Sequence, residues 1–199
     1  MKGEIQYPLV VISGPAGVGK TTVAKALLKT YPELRTSVTY TTRRKREHST
    51  EDKKMYYVNR EEFEQKRANG EFLESAEVHG DLYGTHKRET EEEFSKGSML
   101  FNIDVQGAEQ LKALYGGRVV TIFLLPESHE QLVDHLKNRG EMSEGTFRER
   151  LKSAERELSA QDGFDFRVVN AEGKLNETIE RIVGLLDPIL EDIDKKEAV

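Results

Sequence analysis

The sequence predicts an α/β fold of three layers, in which helices cover both faces of a parallel β-sheet. Short segments rich in β-branched and aromatic residues alternate along the chain with longer amphipathic segments, an order typical of this fold class. Within the short segments apolar residues follow one another directly, as expected of strands buried on both faces. The predicted strands are residues 8–13, Ser98–Ile103, Val119–Leu125 and Phe166–Val169.

Between and after these strands, apolar side chains recur three and four residues apart, which is the spacing of one helix face. Two such stripes stand out in the second half of the chain, and we expect both to face the core rather than a ligand. They consist of Phe147, Leu151, Ala154 and Leu158, and of Ile179, Ile182, Val183, Leu186 and Ile189.

Two segments interrupt this alternation and are expected to be insertions into a single domain over residues 1–199. Residues 36–85 contain short alternating pieces around one helix, which Asn59 is expected to cap and Gly70 to end. Residues 138–150, where Arg139-Gly140 ends one helix and Ser143 precedes the next, are expected to form a helical lid. Insertions at the carboxyl edge of a parallel sheet overhang its ligand crevice. The predicted core is formed by residues 7–35, 86–137 and 151–187.

Composition excludes several function classes. The chain has 199 residues and a net charge of −6, so no general basic surface for nucleic acid or membranes is expected. It contains no cysteine, which excludes disulfides, thiolate metal sites and cysteine nucleophiles. The five histidines show no metal-ligand spacing, and the N-terminus lacks the pattern of a signal peptide. We expect a cytoplasmic protein that is a monomer or a homodimer.

The most specific motif is Gly-Pro-Ala-Gly-Val-Gly-Lys-Thr, from Gly14 to Thr21, which fits G-x-x-x-x-G-K-[ST]. It lies between the first predicted strand and a predicted helix, so backbone N–H groups can converge on a phosphate at the helix N-terminus. Lys20 is expected to reach the β- and γ-phosphates, and the Thr21 hydroxyl to ligate Mg²⁺. The motif therefore predicts a P-loop nucleoside triphosphate site.

The only dense cationic cluster follows at residues 39–46. Arg43 and Arg46 come three residues apart after an extended segment, and guanidinium forks can clamp one phosphate bidentately. The alternative is a solvated charge run, because residues 47–54 are also highly charged. Composition alone does not separate these two interpretations.

At this point the chain resembles the guanylate kinase family. The resemblance extends in order and spacing from about Tyr7 to Asp187. Its motifs are Ser37-Val38-Thr39-Tyr40-Thr41-Thr42-Arg43 with Arg46, Glu71-Phe72-Leu73-Glu74, Tyr83-Gly84-Thr85, Asn102-Ile103-Asp104-Val105-Gln106-Gly107 and Leu136 to Gly140. The glycine-rich loop is shared by many nucleotide-binding proteins, whereas the combination of the other motifs is much more specific.

The resemblance implies that MgATP donates its γ-phosphoryl group to GMP or dGMP in purine nucleotide metabolism. It assigns the ATP site to Gly14, Pro15, Ala16, Gly17, Val18, Gly19, Lys20, Thr21, Thr22 and Asn170. It assigns the GMP site to Thr39, Arg43, Arg46, Glu74, Tyr83, Thr85 and Asp104. The implied metal ligands are Thr21 and Asp104, and the implied catalytic residues are Lys20, Arg43, Arg139 and Arg150. For Arg139 and Arg150 the alternative is a helix-surface arginine, and for Asn170 a residue that ends a strand.

Base chemistry agrees with the role implied for Glu74. Guanine presents N1–H and N2–H₂ as neighbouring donors, which suit a carboxylate with two acceptor oxygens, whereas adenine presents an acceptor at N1. An unpaired desolvated charge is costly, so Glu74 is predicted to discriminate strongly between the two bases. The alternative is a carboxylate exposed on a strand.

Three positions depart from the family pattern. Asn102 stands where an aspartate usually helps to hold hydrated Mg²⁺, so Asp104 is expected to carry more of the metal site. Residues 47–54 lack the usual proline–glycine turn. Met55 replaces a tyrosine that contacts the acceptor phosphate, unless a shift by one residue lets Tyr56 serve. Two alternative functions stay open, a ribose 1,5-bisphosphate phosphokinase and a non-catalytic guanylate-kinase-like binding domain.

Overall fold

The structure, a computed structural model, describes residues 7–45, 55–94, 96–138 and 143–197, with side chains up to residue 190. Its central sheet has five parallel strands in the order β2-β7-β1-β8-β9. These strands are β1 (Leu9–Ser13), β2 (Arg35–Thr36), β7 (Met99–Asn102), β8 (Val119–Pro126) and β9 (Phe166–Asn170). The predicted α/β fold is confirmed, and each end of the four predicted strands lies within one residue of the observed end. The two-residue strand β2 is too short for its pattern to be detected.

Seven α-helices lie within the described residues. They are α1 (Lys20–Thr30), α2 (Arg60–Ala68), α3 (Lys87–Phe94), α4 (Val105–Tyr115), α5 (His129–Lys137), α6 (Glu144–Ser159) and α7 (Leu175–Glu197). The predicted cap is confirmed, because Asn59 accepts a hydrogen bond from the Glu62 N–H at 2.8 Å. The helix predicted to follow Ser143 begins at Glu144, and Ser143 caps it by accepting from the Thr146 N–H at 3.2 Å. Gly70 follows α2 with a φ of 70°.

The central sheet buries a hydrophobic cluster on each face, as its doubly apolar strands require. In β1, Val10 and Ile12 pack toward α1 and α7, while the alternate residues Leu9 and Val11 pack toward α4. A third, smaller cluster joins the glycine-rich loop to α5 and α6, and it contains Ala16, Leu132, Leu136 and Ala154. This third cluster therefore packs the glycine-rich loop against α5 and α6.

A second sheet lies within residues 36–86 and has the strand order β4-β3-β6-β5. Its strands are β3 (Thr39–Thr41), β4 (Met55–Tyr57), β5 (Phe72–Val78) and β6 (Asp81–His86). Strand β3 is parallel to β4 and antiparallel to β6, which is antiparallel to β5. Helix α2 packs on this sheet through Phe63, which stacks on Phe72 with ring centroids 4.6 Å apart.

None of the helices within the described ranges combines the length and the hydropathy that crossing a bilayer requires. The longest of them, α7, continues ten residues beyond Asp187, where the predicted core ends, and contains Pro188.

Candidate active site

The glycine-rich loop connects the end of β1 to the start of α1. Gly14 and Gly19 have φ values of 139° and 95°, which side-chain-bearing residues rarely adopt. A Cβ at Gly14 would lie 2.5 Å from the Leu124 carbonyl oxygen, and one at Gly19 would lie 2.6 Å from the Asn170 Nδ2. Position 14 therefore requires glycine for its conformation and for space, and position 19 requires it for its conformation. Helix α1 begins at Lys20, so its N-terminal N–H groups face the loop, as in a phosphate-binding site.

Three successive residues of this loop are held by side chains from three different elements. The Ala16 N–H donates to Glu157 on α6 at 3.1 Å, and His135 on α5 contacts the Gly17 carbonyl oxygen at 2.9 Å. Asn170, at the end of β9, donates to the Val18 carbonyl oxygen at 2.8 Å and accepts from the Thr178 hydroxyl at 3.0 Å. The loop is thus held from its outer side by α5, α6 and β9. Asn170 thus ends β9 and supports the loop, while its contact with ATP stays a prediction.

Lys20 and Thr21 lie at the first turn of α1. The Lys20 ammonium donates to the carbonyl oxygens of Gly14 and Pro15, the latter at 3.1 Å, so its side chain folds back over the loop.

The Thr21 hydroxyl accepts from the Asn102 amide at 3.3 Å. Asn102 is the last residue of β7, and its exposed side chain therefore lies beside the predicted metal ligand. Thr22 continues the first turn, donating its N–H to the Gly19 carbonyl oxygen at 3.0 Å.

Glu74 on β5 is a buried carboxyl group with few partners, which its prediction as a base-reading residue requires. It is 4% exposed and accepts a hydrogen bond from the Thr85 hydroxyl at 2.5 Å. Burial raises the pKa of Glu74 to about 7, and the nearby charge of Asp104 acts in the same direction. The alternative of an exposed strand carboxylate is wrong. A carboxyl group of this kind is half ionised near neutrality, so a ligand that donates hydrogen bonds will favour its ionised form.

Asp104 and Gly107 bring α4 against this carboxyl group. Asp104 caps the helix by accepting from the Gly107 N–H at 2.9 Å. A Cβ at Gly107 would lie 2.5 Å from Glu74 Oε2 and 3.3 Å from Asp104 Oδ1, so both carboxyl groups converge on this glycine. Burial raises the pKa of Asp104, while the Lys20 ammonium opposes the shift. Asp104 is therefore close enough to both the donor loop and the acceptor pocket to interact with each.

The register of the second sheet places the other predicted acceptor residues on one face. Thr39 pairs with Thr85, and Thr85 also pairs with Glu74, so these three side chains point to the same side. Tyr83, two residues before Thr85, shares that side because side chains alternate along a strand. Residues far apart in sequence thus line a single surface, which we call the acceptor face.

The same register decides whether Tyr56 can take the role of the family tyrosine that Met55 replaces. Met55 pairs with Thr39 and so lies on the acceptor face, whereas Tyr56 pairs with Tyr40 and lies on the opposite one. Tyr56 stacks on Tyr40 there, with ring centroids 4.9 Å apart. The suggestion that Tyr56 serves is therefore wrong. Tyr57 returns to the acceptor face, where its hydroxyl reaches the Met55 sulfur at 3.3 Å.

Of the four predicted arginines, only Arg43 and Arg150 lie within the described residues. The Arg43 guanidinium, just after β3, lies 5.8 Å from the centroid of the Tyr57 ring and so faces the same side of the sheet. Arg46 and Arg139 lie outside the described residues, as do residues 47–54 and the part of the predicted lid at 139–142. Arg150 is on α6, and its Nε is buried without a hydrogen-bond partner among the described residues.

Sequence reasoning missed two residues of this region, Gly107 and Glu157, and did not decide the place of Tyr57 between the core and the acceptor pocket. Tyr57 follows from β-alternation once the strand register is known. Gly107 belongs to a motif already quoted, but its contact with Glu74 is between different elements. Glu157 immediately precedes Leu158 and lies at the edge of the apolar stripe of α6, and a carboxylate at such a position is a signal that could have been noticed.

The glycine-rich loop, the order of the central sheet and the helix that follows the loop define the P-loop nucleotide-binding fold. The family model described as guanylate kinase matches residues 6–188. A guanylate kinase of Nitrosomonas europaea is 42% identical over 165 residues, covering 82% of each chain. One of Thermotoga maritima is 38% identical over 187 residues, covering 94% of this chain and 87% of the relative.

Structural similarity leads to the same family. The crystal structure of guanylate kinase from Anaplasma phagocytophilum matches with a TM-score of 0.73 at 34% identity, covering 92% of this chain and 86% of that one. The chain therefore belongs to the guanylate kinase family, as the sequence resemblance predicted.

Proposed function

We propose that this site transfers the γ-phosphoryl group of ATP to GMP or dGMP, giving ADP and GDP or dGDP. The observation that carries the proposal is the buried Glu74 carboxyl group, which shares the acceptor face with Thr39, Tyr83 and Thr85 and adjoins Asp104. Asp104 in turn interacts with Lys20 of the donor loop. A base-reading carboxylate and a phosphate-binding lysine are thus connected through one intermediate residue.

On the donor side, the N–H groups of the loop and of the first turn of α1 bind the ATP phosphates. Lys20 exchanges its hydrogen bonds with the Gly14 and Pro15 carbonyl oxygens for contacts to the β- and γ-phosphates. The lysine is already folded over the loop, so little rearrangement is needed. This preorganisation favours stabilisation of the charge that develops during transfer.

The residues at the first turn of α1 fit a magnesium ion. Mg²⁺ keeps several of its waters and takes only one or two protein oxygens beside substrate phosphates. The exposed Thr21 hydroxyl with the adjacent Asn102 amide offers such a sparse set, and the Asp104 carboxylate, which interacts with the neighbouring Lys20, adds negative charge. When bound, the ion neutralises charge on the β- and γ-phosphates.

On the acceptor side, Glu74 in its ionised form accepts hydrogen bonds from guanine N1–H and N2–H₂. The Thr85 hydroxyl, which donates to one Glu74 oxygen, fixes the orientation of the carboxyl plane. Thr39 and Asp104 complete the guanine contacts. The relatives named guanylate kinase support this choice of base, because each is aligned over most of this chain.

Arg43, Arg46 and Tyr83 bind the phosphate of GMP, while Arg139 and Arg150 neutralise the group in transfer. A GMP phosphate oxygen attacks the γ-phosphorus as the bond to the ADP oxygen breaks. No covalent enzyme intermediate is needed, because positioning and charge stabilisation suffice for this reaction. We propose residues 36–85 as the GMP-binding insertion and 138–150 as the lid on a core of residues 7–35, 86–137 and 151–187. A cytoplasmic monomer or homodimer remains our prediction.

The test is a coupled ADP-release assay with MgATP and a panel of GMP, dGMP, AMP, UMP and ribose 1,5-bisphosphate, on wild type and Glu74→Gln. Glu74→Gln should lower the kcat/KM for GMP by about 2–4 kcal/mol in transition-state terms and relax the rejection of AMP, because an amide presents one acceptor and one donor. Glu77→Gln is the matched control, since Glu77 is on the same strand in an exposed ion pair with Arg60.

Turnover of ribose 1,5-bisphosphate in preference to GMP would instead support a ribose bisphosphate kinase. Binding of a phosphorylated peptide without turnover of any acceptor would support a non-catalytic binding domain. A wild-type enzyme that is indifferent to the base would refute the role of Glu74.

A further inference from the structure

Glu157 is a carboxylate that the proposed reaction does not use, although it contacts the donor loop directly. It lies near the end of α6 and is partly buried. Its Oε2 accepts from the Ala16 N–H at 3.1 Å, and its Oε1 accepts from the Ser153 hydroxyl at 3.2 Å. Glu157 and Ala16 are 141 residues apart, so this bond joins two distant elements.

The surroundings of Glu157 make this carboxylate costly. Burial raises the pKa of Glu157, and the charge of Asp104 adds to the shift, while the Lys20 ammonium opposes it. A negative group so near a loop that binds anions also disfavours the ligand electrostatically. A neutral residue at position 157 would avoid both the burial of a charge and the repulsion of an anionic ligand. We therefore expect the Glu157 carboxylate to have a role that compensates for these costs.

The geometry of α6 suggests that role. Arg150 precedes Glu157 by seven residues, so the two side chains lie on one helix face, about 20° apart around the axis and about 10.5 Å apart along it. Ala154 lies between them and is fully buried in the cluster that contains Ala16. The Nε of Arg150 is buried and has no hydrogen-bond partner among the described residues, so packing rather than hydrogen bonding at that atom sets its position.

We propose that Glu157 is a positioning residue, which fixes α6 against the donor loop through the Ala16 N–H and thereby sets the position of Arg150 relative to the transferring phosphoryl group. The inference rests on the proposed function, in which Arg150 neutralises that group. Helix α6 is continuous from Glu144 to Ser159, so a rotation or shift at Glu157 is transmitted to Arg150 two turns away. The apolar packing of α6 around Ala154 is not directional, whereas the bond from the Ala16 N–H to Glu157 is.

Two substitutions separate geometry from charge. In Glu157→Gln the amide oxygen can accept from the Ala16 N–H while the NH₂ donates to the Ser153 oxygen, so we expect kcat within about fivefold of wild type, with most of the geometry retained. In Glu157→Ala both bonds are lost, and we expect kcat to fall about 10- to 100-fold, the range for misplacing a catalytic group by about 1 Å. Equal losses in both variants would overturn the proposal, because Gln keeps the acceptor.

The control is Glu155→Ala, on the same helix, where an exposed glutamate contacts only His129 among the described residues at 3.4 Å. It should change kcat by less than about twofold, as is usual for exposed pairs. Circular dichroism and thermal unfolding of each variant show whether the fold is kept. A kcat loss in Glu157→Ala that Glu155→Ala reproduces would refute a specific role.

A double-mutant cycle tests whether Glu157 acts through Arg150. In an Arg150→Ala background, Glu157→Ala should lower kcat by no more than about threefold, since the group it positions is already absent. Independent, multiplicative losses would show that Glu157 does not act through Arg150, and would overturn the proposal.

The same cycle is also measured by calorimetric binding of a non-hydrolysable MgATP analogue. If wild type fails to phosphorylate GMP, the proposed function fails, and this binding cycle still decides the inference: non-additive losses of affinity support it and additive losses refute it. If wild type phosphorylates GMP but the kcat losses are additive, the inference alone fails.

Discussion

The two halves of the proposed site differ in the kind of group that faces the ligand. In the donor loop, residues 14–21, the phosphate-binding groups are mainly backbone N–H groups, and side chains such as Asn170 and His135 hold the loop from its outer side. On the acceptor face the groups proposed to contact the ligand are side chains, above all the buried Glu74 carboxyl group. Backbone groups bind any phosphate, whereas a carboxylate distinguishes one base from another.

The two halves also differ in their response to pH. Backbone N–H groups do not titrate, and Lys20 is the main ionisable group of the loop. The acceptor pocket contains Glu74 and Asp104, two carboxyl groups whose pKa values are both raised by burial. The proposed base specificity would therefore be obtained at a cost in electrostatic free energy that the backbone N–H groups of the donor loop do not themselves incur.

Among the substitutions that test the difference between the donor loop and the acceptor face, Lys20→Ala is expected to have the largest effect. Turnover should fall at least about 100-fold, the usual consequence of removing a charge-stabilising group from a reacting centre. GMP affinity should change only a few fold, through the loss of the Lys20 charge near Asp104. A turnover assay and calorimetric GMP titration measure both, and Lys25→Ala, exposed on the same helix, is the control. Turnover above about one per cent of wild type would contradict this role.

Gly107→Ala should damage only the acceptor half. The added methyl would lie 2.5 Å from Glu74 Oε2, so the carboxyl group must move out of its base-reading position. We expect the KM for GMP to rise about 10- to 100-fold, equivalent to losing a hydrogen bond to a charged group, with the KM for ATP nearly unchanged. Gly117→Ala is the matched control, because a Cβ there meets nothing within 4 Å. A comparable rise in the KM for ATP would break the separation between the halves.

GMP binding should release protons near pH 7, whereas ATP binding should not involve Glu74. With its pKa raised to about 7, Glu74 in the free protein is about half protonated at neutrality, and guanine donors require the ionised form. GMP affinity should therefore rise with pH up to about 7 and then level off. Calorimetry in two buffers of different ionisation enthalpy measures the released protons, to which Glu74 contributes up to about half a proton at pH 7.

Glu74→Gln is the control, since it leaves only the protons that the GMP phosphate releases.

The same variant tests how the stability of the ligand-free protein depends on pH. A carboxyl group whose folded pKa is raised stabilises the fold below its unfolded pKa, and this stability is lost as pH rises through the folded pKa. Between about pH 4.5 and 7 the wild type should therefore lose stability relative to Glu74→Gln, by a maximum of about 3 kcal/mol. Parallel stability curves would contradict the raised pKa.

The smallest effect is expected at the metal site. Asn102→Asp adds a charge beside the Thr21 hydroxyl, which accepts a hydrogen bond from the Asn102 amide. The Mg²⁺ concentration for half-maximal rate should fall about two- to fivefold, the range for an exposed charge interaction. Asn69→Asp, on the acceptor side, is the control. An unchanged Mg²⁺ dependence would show that position 102 does not tune the metal.

The glycine-rich loop, four of the five strands of the central sheet, the Asn59 cap and the start of a helix at Ser143-Glu144 could be predicted from the sequence alone. Each depends on residues that are neighbours along the chain, whose spacing alone determines a turn, an apolar face or a cap. The family resemblance extended these predictions to residues such as Glu74 and Asp104.

Only the tertiary structure decided how distant residues meet. The convergence of Glu74 and Asp104 on Gly107 depends on how α4 packs against β5, and the bond from Ala16 to Glu157 joins residues 141 positions apart. The choice between Tyr56 and Tyr57 depends on strand register, because a shift of one residue moves a side chain to the other face of the sheet. Local spacing follows from chain geometry, whereas these contacts depend on the packing of whole elements, which no short sequence window contains.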